Sequence, residues 1–176
     1  IGSGAGLMVI GVITDMVKKG LGEEAFLGVV IIAIGNSGGR VAAGYLSDRI
    51  GRIKSLIIMF SFQCLLMIIS AIVTEHTISI IILLLIATFI GFNYGSNLSL
   101  FPSIAKDLWG MKNFGANYGA LFTAWGVGGF VLSRVSQMIK AATGSLEYSF
   151  WLAAVLLGIG CILLFFFEKI MKQKGQ

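Results

Sequence analysis

Charged residues and proline are scarce in this sequence, whereas long hydrophobic runs are not. Only 12% of its 176 residues are charged and one is a proline, against 24 glycines and 57% apolar residues. Because a soluble domain carries about 25% charged residues, the composition disfavours a soluble globular protein, a disordered chain and a nucleic-acid-binding protein. Glycine at this frequency without proline is typical of closely packed membrane helices. The composition therefore predicts an integral membrane protein that lies in a lipid bilayer.

Residue types that commonly act in catalysis or bind metals are equally scarce. The two cysteines, Cys64 and Cys161, stand inside apolar runs, where we interpret them as packing residues. His76 is the only histidine and lies in a short polar connector. The hydrophobic runs contain no carboxylate, so the paired acids or the metal ligands that a membrane-embedded enzyme needs are missing from them. We therefore expect that the protein is not an enzyme and uses no cofactor.

Hydrophobic runs of the length that spans a bilayer follow one another along the chain. A helix needs about 20 apolar residues to cross the membrane core. Five runs reach this length and the first is shorter. The runs are continuous rather than alternating, which favours helices over a β-barrel. The predicted fold is an all-α membrane protein with one domain, residues 1–176, and six helices at about 1–17, 25–47, 55–74, 77–105, 113–137 and 148–170. The first run lacks the basic start of a signal peptide, and we interpret it as a truncated helix.

Lysine and arginine are distributed unequally between alternate connectors. One side of the predicted bundle carries eight of them and the other side carries three. The larger set is Arg49, Arg52, Lys54, Lys106, Lys112, Lys169, Lys172 and Lys174, and the smaller set is Lys18, Lys19 and Lys140. Because cytoplasmic loops of membrane proteins carry an excess of cations, we predict that the larger set and the C-terminus are cytoplasmic. We expect a multi-pass protein of the plasma (cytoplasmic) membrane.

Arg40 is a charge deep within the second hydrophobic run. Placing an arginine there costs at least about 2.5 kcal/mol, and its side chain leans away from the nearer aqueous face. Asn36 lies one turn earlier on the same face, and Gly35 and Gly39 form a small-xxx-small pair that allows close helix packing. Two interpretations stay open. Arg40 binds an anion in a water-filled cavity, or it is satisfied by an ion pair or by carbonyl groups and fixes the packing of helices.

The connector after this run has a distinctive order of small and charged residues, Gly44-Tyr-Leu-Ser-Asp48-Arg49-Ile-Gly51-Arg52. Asp48 is near the electronegative end of its helix, where a carboxylate is disfavoured. Arg49, Arg52 and the positive end of another helix are candidates to compensate its charge. A tight charged turn of this kind can break and re-form as helices tilt. We therefore predict a conformational-switch loop made of Gly44, Asp48, Arg49, Gly51 and Arg52.

The same order resembles the signature loop of the major facilitator superfamily, G-x-x-x-D-R-x-G-R, and the match is complete through Arg52. Three further stretches, Gly4–Gly11, Asn36–Arg40 and Phe92–Gly129, resemble the C-terminal half of the oxalate/formate antiporter-like branch. In the superfamily the loop follows the second helix of each six-helix half, as it does here. The resemblance implies a C-terminal half whose partner, the N-terminal six-helix half of the same protein, is missing from this sequence.

The resemblance also implies a substrate site. Arg40 matches the substrate-binding arginine of the branch, and Tyr94 and Phe122 match aromatic walls around a small carboxylate. Trp125 stands where the oxalate transporters have a lysine, and the loss of one cation favours a monocarboxylate such as formate, lactate or pyruvate over oxalate. With polar residues of the same helices, the expected substrate-binding set is Arg40, Asn36, Tyr94, Asn97, Phe122 and Trp125.

These inferences predict a secondary transporter that moves a small organic anion across the membrane by alternating access. Because the hydrophobic runs hold no carboxylate, exchange or uniport is favoured over proton symport. Two alternatives stay open: a carrier of an unrelated small solute in the same superfamily, and a membrane channel. Polar residues cluster on two or three helices only, which disfavours the channel.

Overall fold

The computed structural model describes residues 26–74 and 79–173, and these residues form α-helices joined by short connectors. The helices are α1 (Phe26–Ile50), α2 (Arg52–Thr74), α3 (Ile80–Trp109), α4 (Phe114–Thr143) and α5 (Glu147–Gln173). No strand occurs in either described range, so the predicted all-α fold is confirmed there. The first expected helix, at about 1–17, lies outside the described residues.

Four of the helices, α1, α2, α3 and α5, are long and apolar enough to cross a membrane, which defines an integral membrane protein. The remaining helix, α4, has 30 residues, more than the roughly 20 that a bilayer core requires. Glycines and polar residues interrupt its apolar sequence. Because lipid offers no partner for polar groups, this mixed composition suits a helix that faces protein or a polar cavity.

The helices continue beyond the apolar runs. The expected connector 48–54 is helical on both sides of Gly51. Long charged side chains reach water from the last turn of a helix, so the end of an apolar run does not end the helix. The helix ends lie instead at glycines. Gly51, Gly110 and Gly144 have φ angles of 97°, 68° and 73°, a backbone conformation that favours glycine.

Glycines bring α1 and α3 into backbone contact. A Cβ atom added at Gly35 or Gly39 would overlap the backbone of α3, and one added at Gly91 or Gly95 would overlap the backbone of α1. The small-xxx-small pair of α1 is therefore confirmed as a packing surface, and α3 supplies a matching pair. Membrane helices associate through such van der Waals packing, because lipid is as apolar as the side chains. The matched glycines hold α1 and α3 in one register.

Large apolar side chains pack α2 against α5 and α3. Met67 of α2 and Phe150 and Leu157 of α5 are buried, with 0–2% of their surface exposed. Asn93 of α3 donates a side-chain hydrogen bond of 2.7 Å to the carbonyl oxygen of Met59 in α2. An interhelical hydrogen bond of this kind contributes about 0.6 kcal/mol in a membrane. The apolar core of the described residues thus lies mainly between α2, α3 and α5, and Ile32 and Ala43 of α1 complete it.

In contrast, α4 lies at the edge of the described bundle. Only Gly129 and Ser136 of its 30 residues are buried. A helix with so little buried surface is held weakly by the described helices, since burial supplies most of the stabilisation of a packed helix. One long face of α4 is therefore open for contacts with other parts of the protein, with lipid or with a ligand.

Three helices end where a fourth begins. The last turns of α1, α3 and α5 and the first turn of α2 surround a cavity of about 540 Å³. We call this the cation-rich end, made of residues 48–54, 106–112 and 168–172. Its cavity is lined by Arg52, Lys54 and Lys172 among other residues. Three of the cations that the sequence assigns to the more basic side of the bundle, Arg52, Lys54 and Lys172, therefore lie together at one end.

Candidate functional site

The candidate site is built around Arg40, which lies ten residues before the end of α1, or about 15 Å along the helix axis. Its Nε atom donates a hydrogen bond of 3.0 Å to the side-chain oxygen of Asn36, one turn earlier. The residue is exposed, and its two terminal nitrogens form no ion pair or hydrogen bond with the described residues. Two guanidinium nitrogens without a protein partner can hold the two oxygens of a carboxylate.

The contact between α1 and α3 positions this group. The backbone carbonyl of Asn36 lies directly against Gly95 of α3, so no side chain separates the helices at this point. Tyr94 precedes Gly95, and its phenol is within electrostatic reach of the Arg40 guanidinium. The register of the glycines therefore decides which side chain of α3 lies near Arg40.

Aromatic rings continue from α3 onto α4. The ring centroids are 6.4 Å apart for Tyr94 and Trp125 and 4.8 Å apart for Trp125 and Phe122. They are 5.2 Å apart for Phe122 and Tyr118 and 5.5 Å apart for Tyr118 and Phe114. All four separations lie in the range of about 4.5–7 Å that aromatic pairs prefer. We call these five residues the aromatic column, and it brings together three of the expected site residues, Tyr94, Phe122 and Trp125.

Two members of the column, Phe114 and Tyr118, are absent from the expected site. Tyr118 also lies within electrostatic reach of the Arg40 guanidinium. The signal that could have found both residues is their spacing, because Phe114, Tyr118 and Phe122 follow one another at intervals of four. That interval places side chains on one face of a helix.

The indole of Trp125 occupies the position at which the resemblance implies a second cation. Its N–H group is buried and donates no hydrogen bond of normal geometry to the described residues, although the Tyr94 phenol is close enough to interact with it. A buried donor without an acceptor costs about 1–3 kcal/mol. An acceptor atom from water or from a bound solute is therefore favourable beside Trp125.

Asn97 does not join this group. Only 2% of its surface is exposed, and its side-chain oxygen has no hydrogen-bond partner within the described part of the chain. Asn93, one turn earlier, is bonded to α2. Because a buried amide cannot line an open cavity, the structure places Asn97 inside the helix bundle rather than beside Arg40.

At the cation-rich end, Arg52 joins three helices. Its Nη1 atom donates to Asp48 Oδ1 at 2.6 Å and also to the Ser47 hydroxyl, and its Nε atom donates to Asp107 Oδ2 at 3.2 Å. Asp48 and Asp107 lie in the last turns of α1 and α3, where a carboxylate is disfavoured, and Arg52 begins α2, where a cation is disfavoured. Each charge offsets the unfavourable position of the others. We call Asp48, Arg52 and Asp107 the ion-pair group.

The other residues of the expected switch loop have different contacts. The guanidinium carbon of Arg49 lies 4.7 Å from the centre of the Tyr45 ring, which is a cation–π contact. Gly51 supplies the positive φ that separates the two helices. Gly44 has room for a side chain, since an added Cβ would lie 3.6 Å from Ser99 Oγ. Only two of the five expected loop residues therefore take part in the ion-pair group.

Asp107 is the ion-pair partner that the expected loop omits. It is 55 residues from Arg52 in the sequence, so no spacing rule within one helix pairs them. The available signal is that both residues belong to connectors predicted on the same side of the bundle. The cavity at this end is lined by both, and also by Glu168 and Lys172, which form a salt bridge of 2.7 Å.

The described part of the chain has an exposed arginine without an acidic partner and ion pairs that join helix ends. With its long apolar helices, these features define a class of protein: helical membrane proteins with charged groups among their membrane helices. Comparison with known families agrees with this class. The family profile of the Major Facilitator Superfamily matches residues 1–176, and the chain therefore belongs to this superfamily of membrane transporters.

Individual relatives carry the names of transporters. The chain is 29% identical over 127 residues to the uncharacterized MFS-type transporter YhjX of Escherichia coli strain K12, which covers 70% of this chain and 31% of the relative. It is 31% identical over 99 residues to the oxalate:formate antiporter of Oxalobacter formigenes, covering 56% and 23%. It is 32% identical over 106 residues to the MFS transporter asaE of Aspergillus flavus, covering 60% and 23%. The matched region thus spans less than a third of the length of these relatives.

Proposed function

We propose that the chain is the C-terminal six-helix half of a secondary transporter for a small carboxylate anion. The observation that carries the proposal is Arg40, a guanidinium within an apolar helix whose terminal nitrogens have no partner among the described residues. Such a charge is costly in a membrane unless water or an anion reaches it. Similarity to a relative named as an oxalate:formate antiporter supports a carboxylate as the substrate.

In the proposed site, Arg40 attracts and orients the carboxylate through charge-assisted hydrogen bonds. Asn36 holds the Nε atom of the arginine, which leaves the terminal nitrogens for the substrate. Tyr94, Phe122 and Trp125 form the wall beside it. Asn97 is buried here, so a role for Asn97 requires a state in which the helices around it separate.

A monocarboxylate fits this arrangement better than oxalate. The described residues bring one cation, Arg40, to the aromatic wall, and Trp125 stands where a second cation is implied. A dianion would leave one negative charge in apolar surroundings without a partner, and an unpaired charge there is strongly disfavoured. We therefore favour small monocarboxylates such as formate, lactate and pyruvate.

The proposed mechanism is alternating access, with the carboxylate bound between this half and an N-terminal six-helix half. The ion-pair group ties the ends of three helices and stabilises one gate state. Its two aspartates are more than half exposed, and exposed ion pairs contribute only about 0–1 kcal/mol each. Such contacts can open and re-form during transport at little cost.

We propose that this end, with the C-terminus, lies on the cytoplasmic face of the plasma membrane, because cytoplasmic loops carry an excess of cations. The carboxylates of the described helices, Asp48, Asp107, Glu147 and Glu168, all lie near helix ends. This distribution favours exchange or uniport over proton symport. Transport of this kind breaks no bond of the substrate, so we propose a carrier without enzymatic activity and without a cofactor.

The test is uptake of a labelled monocarboxylate by the complete transporter in proteoliposomes, with Arg40→Gln compared with the wild type. We expect Arg40→Gln to lower uptake about 10- to 100-fold, because one charge-assisted contact of about 1.5–3 kcal/mol is lost. Arg134→Gln is the matched control, since Arg134 lies on α4 and bonds only weakly, at 3.5 Å, to Gln137. Normal uptake by Arg40→Gln would contradict the proposed role.

A further inference from the structure

The aromatic column extends further than a small carboxylate needs. Eleven positions separate Phe114 from Trp125 along α4, which corresponds to about 16 Å, or about half of the bilayer core. The column begins at the cation-rich end, because α4 starts just after that end of α3. It therefore leads from the cation-rich end toward the depth of Arg40.

None of its rings is used to build the apolar core of the described residues. That core consists of side chains from α1, α2, α3 and α5, and the five rings of the column are not among them. Phe122 has 38% of its surface exposed. Aromatic side chains are normally the largest contributors to a packed interior, so five clustered rings outside the core call for another role.

Two of the five rings lie near the charge of Arg40. Tyr118 on α4 and Tyr94 on α3 both lie within electrostatic reach of the guanidinium. Phe114 and Tyr118 are stacked with an interplanar angle of 7°, and Phe122 is tilted against Tyr118 by 59°. A flat molecule can extend such a series of stacked and tilted rings, since aromatic pairs prefer these geometries.

We propose that the aromatic column selects monocarboxylates with a planar, unsaturated body, such as aromatic acids, over saturated ones of the same size. The carboxylate binds to Arg40 and the planar body lies against Tyr118 and Phe122. Tyr118 is then a specificity-determining residue. This inference rests on the proposed carboxylate transport and adds the shape and unsaturation of the substrate to it.

Competition with matched compounds tests the inference on the complete transporter in proteoliposomes. Uptake of labelled pyruvate is measured with benzoate, cyclohexanecarboxylate or benzamide as competitor. Benzoate and cyclohexanecarboxylate share the charge and approximate size but differ in planarity, and benzamide keeps the ring without the charge. We expect benzoate to compete about tenfold more strongly than cyclohexanecarboxylate, as one or two aromatic contacts provide, and benzamide not to compete.

Substitutions on α4 test which side chains cause the preference for benzoate over cyclohexanecarboxylate. Tyr118→Leu and Phe122→Leu are expected to reduce the preference for benzoate to less than about threefold, because each removes one aromatic contact. Phe130→Leu is the matched control, since Phe130 lies on the same helix, is 69% exposed and is outside the column. It should keep the preference of the wild type.

Failure of this inference differs from failure of the proposed function. Equal competition by benzoate and cyclohexanecarboxylate, or a preference that survives Tyr118→Leu and Phe122→Leu, overturns the role of the column and leaves carboxylate transport standing. Competition by benzamide as strong as by benzoate overturns carboxylate recognition itself.

Discussion

Arg40 has a single neutral partner among the described residues, the side-chain oxygen of Asn36. An amide oxygen satisfies one N–H group of the guanidinium but does not neutralise its charge. The cost of placing the charge in a membrane, at least about 2.5 kcal/mol, is therefore not offset within the described part of the chain. A residue whose free-energy cost of burial in the membrane is not offset is expected to bind a ligand rather than to stabilise the fold.

Arg40→Leu should therefore separate stability from transport. We expect this variant to unfold in detergent at a temperature no lower than the wild type, because an apolar side chain replaces a charge without an acidic partner. Uptake should be lost at the same time. The measurement is a thermal unfolding curve for the purified complete transporter. A decrease of several degrees would show that Arg40 fixes helix packing, the second interpretation that the sequence left open.

The sequence was informative about single residues where one helix contains both partners. The Arg40–Asn36 hydrogen bond follows from their spacing of four residues. The same rule connects Phe114, Tyr118 and Phe122, although the resemblance implies a site role for only Phe122 of these three. The contact of Arg52 with Asp107 could not be predicted in this way, because it depends on which helix ends meet in space.

Among the elements, the pair α1 and α3 positions the site. Gly39 and Gly95 let the two backbones touch, and Asn36 lies directly at this contact. A side chain at either glycine would push the helices apart and move Arg40 relative to Tyr94. The geometry of the site therefore depends on two residues that contribute no functional group.

Gly39→Ala tests this dependence, with Gly38→Ala as its matched control. Overpacking at a close contact costs about 1–3 kcal/mol, so Gly39→Ala should lower both the unfolding temperature and uptake. A Cβ at Gly38 meets nothing within 4 Å in the described structure, and Gly38→Ala should leave both close to the wild type. Equal effects of the two variants on unfolding and uptake would contradict the backbone contact between α1 and α3.

The ion-pair group gives a prediction about gating. Arg52→Gln should lower the maximal uptake rate several-fold while KM stays unchanged, since Arg52 lies about 18 Å along the chain from the depth of Arg40. Arg49→Gln is the control, because Arg49 contacts the Tyr45 ring and no carboxylate of the described residues. The measurement is uptake against substrate concentration. A change confined to KM, or an equal effect of Arg49→Gln, would exclude a gating role for the group.

Element type was predictable from the hydrophobic runs, whereas element ends were not. The runs predict helices because only helices satisfy their backbone within lipid. Their ends were expected at the first charges, for example at Asp48, but α1 continues to Ile50 because charged side chains reach water from the last turn. The residue that separates α1 from α2 is Gly51, with its positive φ.

For the whole molecule, the described helices form one side of a proposed cavity. Arg40 and the aromatic column lie on the open faces of α1, α3 and α4, whereas the apolar core lies mainly between α2, α3 and α5, with a smaller contribution from the opposite face of α1. The matched region spans less than a third of the length of its relatives. We therefore expect the open faces to meet the N-terminal half, with the substrate between the two halves.

Competition for uptake of a labelled monocarboxylate by the complete transporter tests the central claim most directly. The competitors are monocarboxylates, the corresponding dicarboxylates and the corresponding neutral amides. Binding to one guanidinium predicts saturable inhibition by monocarboxylates, weaker inhibition by dicarboxylates and none by the amides. Inhibition by the amides equal to that by the acids, or no inhibition by any carboxylate, would show that Arg40 does not serve a carboxylate substrate.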